Sequence, residues 1–175
     1  MRQQTLLNHI TGIIAGFDFS VPLHLYLKNY FRQHKQLGSR DRKIISSGCY
    51  AYYRSTSLMP NKSFDEQLAL SFSITNETNL LSEYLFEKYG ITKKESNCLS
   101  DRLGLIQRQG GITPDEAFLF LDLLSDKIDK KAFTESLFQQ PLVWIRLRNG
   151  FEKSVLDELK LKEITPVKSI SNALG

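Results

Sequence analysis

A chain of 175 residues with 41% hydrophobic and 24% charged side chains can fill one domain of about 100–150 residues plus a small second unit, which excludes the disordered and fibrous classes. The net charge of +4 is unevenly placed: residues 1–60 hold Arg2, Lys28, Arg32, Lys35, Arg40, Arg42, Lys43 and Arg54 against only Asp18 and Asp41, whereas anions outnumber cations in the rest of the chain, and that asymmetry points to a local anionic partner. Two cysteines are too few for a disulfide framework, no apolar leader opens the chain and no apolar run nears the ~20 residues a bilayer demands, so a cytoplasmic protein with no membrane contact is expected.

Leu6, Leu7, Ile10, Ile13, Ile14 and Phe17 recur at helical spacing, which predicts a first helix over residues 2–16. Ser20 precedes Pro22 as a cap precedes a first-turn proline, starting a second helix. Leu23, Tyr26, Leu27, Tyr30, Phe31 and His34 form its apolar stripe, while His24, Lys28, Arg32 and Lys35 occupy the opposite face. Leu37-Gly38 ends it.

The third helix opens within Leu37-Gly38-Ser39-Arg40-Asp41-Arg42. Ser39 is expected to cap it through its hydroxyl, and Asp41 meets the positive end of the helix dipole. Turning each residue about 100° from the last separates two faces. Ile45, Gly48, Cys49 and Tyr52, with Ile44 and Ala51 at the edge, form the face to be buried. Arg40, Lys43, Ser47, Tyr50 and Arg54 form the other, a combination of cations and a ring that suits phosphates and bases, although basic outer faces are also ordinary solvated surface. Arg42 projects away from Arg40, Lys43 and Arg54, near Tyr53, and is expected to brace the fold through a carboxylate.

Residues 55–61, closed by Pro60, read as a loop, and Ser63-Phe64-Asp65-Glu66 as a capping box for a short helix through about residue 72. Residues 79–89 make another helix, stopped by Gly90. Thr92-Lys93-Lys94-Glu95 is a second capping box, opening a helix that fades before Gly110-Gly111. Thr113-Pro114-Asp115-Glu116 is a third, leading into a helix over residues 117–124, and an amphipathic stretch covers residues 129–138. Six to eight helices with short connections predict an all-α bundle. The period then changes. Pro141-Leu142-Val143-Trp144-Ile145-Arg146-Leu147-Arg148 is rich in strand formers and ends at the Asn149-Gly150 turn signal. Residues 151–160 are helical on Val155, Leu156 and Leu159, and residues 164–170 suit a second strand. This partial β-α-β element is too small to stand alone, so the chain is expected to be part of a longer protein, or its last part to lean on the bundle.

The pattern carries little chemistry. No glycine-rich phosphate-binding turn joins a strand to a helix, and Gly12, Gly16, Gly110 and Gly111 belong to helices or linkers. His9, His24 and His34 with two distant cysteines lack metal-ligand spacing; His9 and His34 read as packed histidines, and His24 shares the basic face. The carboxylates are scattered without forming an acid/base couple. Cys49 and Cys98 have no activating base nearby in sequence and read as inert structural thiols. The chain itself is therefore expected to hold no catalytic residue, cofactor or metal.

The stretch Leu37-Gly38-Ser39-Arg40-Asp41-Arg42 followed by Ile44, Ile45, Tyr50 and Arg54, together with Pro141-Leu142-Val143-Trp144-Ile145-Arg146-Leu147-Arg148, resembles the Sun/Fmu-type ribosomal RNA cytosine-C5 methyltransferases. The first is similar to that family's Ser-Arg-Asp-Arg helix and the second to its proline, tryptophan and arginine strand, with Arg148 where the family carries asparagine. The resemblance implies a NusB-like RNA-binding domain over residues 1–140 and, over residues 141–175, the start of a small ferredoxin-like α/β RNA-binding subdomain. It also implies ribosomal RNA as partner and an S-adenosylmethionine-dependent catalytic domain C-terminal to Gly175, in which a cysteine attacks C6 of cytosine and a second assists release. Cys49 and Cys98 match neither of the family's cysteine motifs.

RNA contact is accordingly expected from Lys28, Arg32, Lys35, Arg40, Lys43 and Arg54, with Tyr50 stacking on an unpaired base. Arg146 and Arg148 alternate with Leu147, so they share one strand face and extend the basic track. Two other readings fit the same residues: a free-standing NusB-type antitermination factor, and a helical protein-interaction module whose basic face meets an acidic partner.

Overall fold

Helical spacing is realised through the first half of the chain. The computed structural model describes residues 2–92, 98–139, 145–162 and 164. It places α1 at Arg2–Gly16, α2 at Leu23–Gln33, α3 at Ser39–Ser55, α4 at Phe64–Ile74 and α5 at Leu80–Lys88. Further along are α6 (Leu99–Arg108), α7 (Pro114–Ala117), α8 (Lys130–Phe138) and α9 (Glu152–Leu161), with 3-10 turns at Thr56–Leu58 and Leu119–Leu123. The protein is mainly α, with no strand among the described residues. It divides into two units, Met1–Gln140 and Pro141–Gly175.

In the first unit α3 packs on α4 and α1, and α5 and α6 close over α4. α4 is the inner helix. Residues 68–74, Leu-Ala-Leu-Ser-Phe-Ser-Ile, are all buried, and a helix apolar around its whole circumference is stable only when covered on every side. Its two serines fit because they are small, and one finds a partner across the packing: Ser71 Oγ lies 2.9 Å from Ser55 Oγ of α3, which donates to the Ala51 carbonyl. Gly48 stands where α1, α3 and α4 meet; a Cβ there would fall 2.6 Å from Ile10 Cδ1 and 3.3 Å from Phe72 Cζ. Leu6, Ile10, Ile13, Ile45, Leu68, Phe72, Leu81 and Leu85 are fully buried around this junction, each contributing about 1.5–3 kcal/mol relative to exposure.

Start and stop signals hold in part. Glu66 accepts from the Ser63 amide and hydroxyl at 3.1 and 2.7 Å, and Asn79 accepts from the amides of Leu81 and Ser82 at 3.0 Å each. Gly90, at φ +61°, ends α5 in the left-handed conformation that glycine adopts without strain. Ser39 is not the cap of α3: Gly38 holds that position without a side-chain bond, and Ser39 is already helical. The start is secured instead from outside, by the Arg2–Asp41 ion pair at 2.6 Å. Pro22 likewise sits at the cap of α2, its carbonyl accepting from Leu25 and Tyr26, while the Ser20 hydroxyl is spent on Asp18 at 2.7 Å.

Later elements depart further. Most of the capping box at residues 92–95 falls on residues 93–97, outside the described residues; α6 starts at Leu99, with Cys98 at its cap. The helix expected over residues 117–124 breaks at Phe118 (φ −113°, ψ 77°) and continues as a 3-10 turn. The break lets Phe118 pack on the buried Phe138, ring centroids 5.9 Å apart, and turns Leu121 inward. In the second unit the expected first strand is not seen: residues 145–148, its described part, form no ladder with any described residue. Residues 141–144 and 165–170 lie outside the described residues. The Asn149-Gly150 turn does form, with Phe151 N–H donating to the Arg148 carbonyl at 3.1 Å and Gly150 at φ +84°.

Candidate nucleic-acid interface

α2 is held by its inner edge. Leu27 is its one buried residue, and Tyr30 meets α1 through its hydroxyl, 2.8 Å from His9 Nδ1. His34, just past the end of α2, lies against Tyr30 with ring centroids 4.2 Å apart and against His9 at 5.1 Å. Burial, and then the charge of His34, hold His9 below its ordinary basicity, with Asp41 opposing. This inner seam leaves the other side of α2 to its cations. Lys28, Arg32 and Lys35 are all exposed.

Those three side chains, with Phe31 and with Arg42 from α3, line an open groove of about 380 Å³. Arg42 does project away from Arg40 and Lys43, but its partner is not a carboxylate. Its Nε donates to the Leu37 carbonyl at 2.9 Å and its guanidinium carbon lies 5.8 Å from the Phe31 ring centroid. The nearest acid by sequence, Asp41, is taken by Arg2. The Leu37 carbonyl, in the turn between two helices, supplies the acceptor instead.

The remaining expected residues form a separate group. Arg40, Lys43 and Tyr50 are exposed and Arg54 half-buried along the outer face of α3, and none of the four lines the groove. The ion pairs among the described residues are Arg2–Asp41, Lys62–Glu66, Lys88–Asp65, Lys130–Asp122 and Lys162–Glu158. Lys28, Arg32, Lys35, Arg40, Lys43 and Arg54 are in none of them, so their charge is directed at solvent or at a partner. In the second unit Arg146 and Arg148 are exposed on either side of the half-buried Leu147.

The sequence reading missed Phe31 and Arg42 as members of a common site. Phe31 was assigned to the apolar stripe, and Arg42 to the scaffold. The one usable signal was that Arg42 lies on neither principal face of α3.

The two thiols differ more than expected. Burial pushes Cys49 up to about 12, so it remains a thiol. Cys98 is exposed at the head of α6, where the Ser100 hydroxyl, 2.8 Å away, and the amides of Ser100 and Asp101 hold its thiol below the ordinary value. Among the described residues no three His, Cys, Asp or Glu side chains are grouped to hold a metal ion. Adenosylmethionine, implied by the family resemblance, does not fit the described residues either. Gly12, Gly16, Gly48 and Gly104 lie inside helices, and Gly38, which caps α3, follows a helix rather than a strand. No helix among the described residues is long and apolar enough to cross a membrane. No protein-family model, curated protein or solved structure matches the chain.

Proposed function

We propose that this chain recognises structured ribosomal RNA through α2 and α3, as the non-catalytic N-terminal part of an S-adenosylmethionine-dependent ribosomal RNA cytosine-C5 methyltransferase. The observation that carries the RNA reading is the set of six cations on two successive helices and the turn between them, with no carboxylate partner among the described residues. Such a surface gains affinity by releasing the counterions condensed on phosphates. Tyr50, 40% exposed beside Arg54 and Lys43 on α3, adds a stacking platform worth about 1–3 kcal/mol where a base is unpaired. The enzyme family rests on the Ser39-Arg40-Asp41-Arg42 helix and the Trp144-Ile145-Arg146 stretch in their order along the chain. On that reading the bundle is NusB-like and residues 141–175 begin a ferredoxin-like β-α-β subdomain whose Arg146 and Arg148 also contact RNA. The cofactor and the catalytic cysteines belong to a further domain of a longer cytoplasmic protein.

Titration with ribosomal RNA helices at several salt concentrations tests the RNA reading. Log affinity is expected to fall linearly with log salt; no binding at low salt, or binding that ignores salt, refutes it. Arg40→Ala/Lys43→Ala/Arg54→Ala is expected to weaken binding while the melting temperature stays within a degree or two, as for surface changes of about 0.5 kcal/mol. One observation favours a second reading, as a protein-interaction module: Leu119 and Leu123 are 83% and 86% exposed and suit an apolar partner surface better than RNA. Capture of a partner after nuclease treatment, without any RNA affinity, supports that alternative.

A further inference from the structure

The groove between α2 and α3 differs from the rest of the basic surface because its charges line one shared, open space. Lys28, Arg32, Lys35 and Arg42 all line it, and the other lining residue is the neutral Phe31. No acid is among its walls. Four like charges around about 380 Å³ repel one another, and an anion seated there relieves the repulsion at all four. A space of that volume is roughly 7 Å across, the cube root of 380 Å³. A stacked nucleic-acid strand carries one phosphate per about 3.4 Å of axis, so a width of that order matches two successive phosphates.

Arg42 gives the groove a fixed element. Its Nε is committed to the Leu37 carbonyl and the guanidinium plane rests by Phe31, so the side chain is positioned before any ligand arrives. No described residue bonds its two terminal nitrogens, and these are the pair that takes a phosphate in the two-pronged manner lysine cannot reproduce. Lys28, Arg32 and Lys35 are long, exposed and unpaired, and supply charge that adapts to the ligand.

We propose that the α2–α3 groove is a clamp for two closely spaced phosphates, with Arg42 as its preorganised anchor and Lys28, Arg32 and Lys35 as its adjustable walls. The ligand chemistry is a vicinal pair of phosphates, supplied by one RNA strand or by a free polyphosphate. The RNA source rests on the function proposed above; the clamp itself does not. It assigns Arg42 a binding role in addition to its hold on the inter-helix turn. The outer face of α3, with Arg40, Lys43 and Arg54, is then a second and independent contact.

The test measures binding of an RNA hairpin with a single-stranded flank, and of inorganic tripolyphosphate, over a range of salt. It uses the full chain, Arg42→Lys, and Lys28→Gln/Arg32→Gln, with a melting curve for each. The double variant leaves the Arg42–Leu37 bond untouched and reports on the groove even if changes at Arg42 disturb folding. It is expected to bind RNA at least tenfold more weakly, with a salt slope smaller by about 1.4, the loss of two single-strand phosphate contacts. Arg42→Lys is expected to keep the slope, because the charge stays, yet to weaken binding several-fold. Tripolyphosphate is expected to compete with RNA on the parent chain and not on the double variant. If the parent chain binds RNA but both variants match it in affinity and slope, the clamp is wrong and the RNA reading survives. If tripolyphosphate binds in a groove-dependent way and RNA does not bind, the clamp stands and its ligand is a free polyphosphate. Failure of both ligands to bind the parent chain overturns both proposals.

Discussion

α2 and α3 are neighbours in sequence and both basic, yet they are held in opposite ways. α3 buries Ile45, Gly48, Cys49, Ala51 and Ser55 between α1 and α4, so its outer face is a rigid display of Arg40, Lys43, Tyr50 and Arg54. α2 fully buries only Leu27, with Leu23, Tyr26, Tyr30 and Phe31 packed partly buried on the core, and is fastened further by hydrogen bonds, Tyr30 to His9 and Arg42 to the turn that follows it. The difference teaches that these two helices divide support from adaptability. Local opening free energy follows buried apolar contact, so of these two helices α2 is expected to yield first.

The largest expected effects break the α3 side. Phe72→Ala removes a fully buried ring and is expected to cost about 3–5 kcal/mol. Gly48→Ala forces a methyl into Ile10 and is expected to cost about 1–3 kcal/mol despite the better helix propensity of alanine. Both losses appear as lower urea midpoints, and a neutral Gly48→Ala would show that α1 and α3 have room to part.

On the α2 side the effects are smaller and local. Tyr30→Phe deletes the hydroxyl that meets His9 and is expected to cost about 0.5–1.5 kcal/mol. Hydrogen exchange is expected to quicken in α2 and not in α3 or α4. Uniform quickening across all three helices would contradict the division. Acidification acts at the same seam. His9 is less basic folded than unfolded, so the unfolded chain takes up the proton first. The stability it contributes is full above pH 6.5 and is lost as the pH falls below that, through the lowered folded value. The charge of His34 adds to the loss and Asp41 opposes it. Unfolding measured at pH 7.5 and 5.5 is expected to show this drop in the parent chain and a smaller one in His9→Gln.

The least disruptive probe is thiol labelling. Cys98 is expected to react with a thiol reagent in the folded protein, and faster below pH 8 than an ordinary thiol, because its thiolate forms at lower pH. Cys49, buried and pushed up to about 12, reacts only when the core opens. Labelling of both at equal rates would mean that α3 is not packed as described.

Much of this was legible along the chain. The apolar spacing of Leu6, Ile10 and Ile13, the Ser63–Glu66 box and the Gly90 stop are local signals, and they placed α1, α4 and α5 to within a residue or two. The division of α3 into a face with Ile45 and Cys49 and a face with Arg40 and Lys43 was also visible, because turning by about 100° per residue needs no knowledge of neighbours. Cap assignment was less secure. Ser39 and Ser20 have the right chemistry, but Gly38 and Pro22 hold the cap positions, the Ser20 hydroxyl is bonded to Asp18 and Asp41 is paired with Arg2. The strand expected over residues 141–148 is not seen in its described part, residues 145–148, and strand propensity expresses itself only against a partner.

The sequence by itself determined which stretches coil into helices and which side of each is basic, since both follow from a 3.6-residue period and the chemistry of single side chains. Tertiary structure alone decided that α4 lies inside, that Gly48 is the point of closest approach, and that Arg42 turns across to α2 and closes a groove with Lys28, Arg32 and Lys35. Those outcomes depend on which helix crosses which flank, a property of pairs of elements far apart in the chain. No local pattern encodes it.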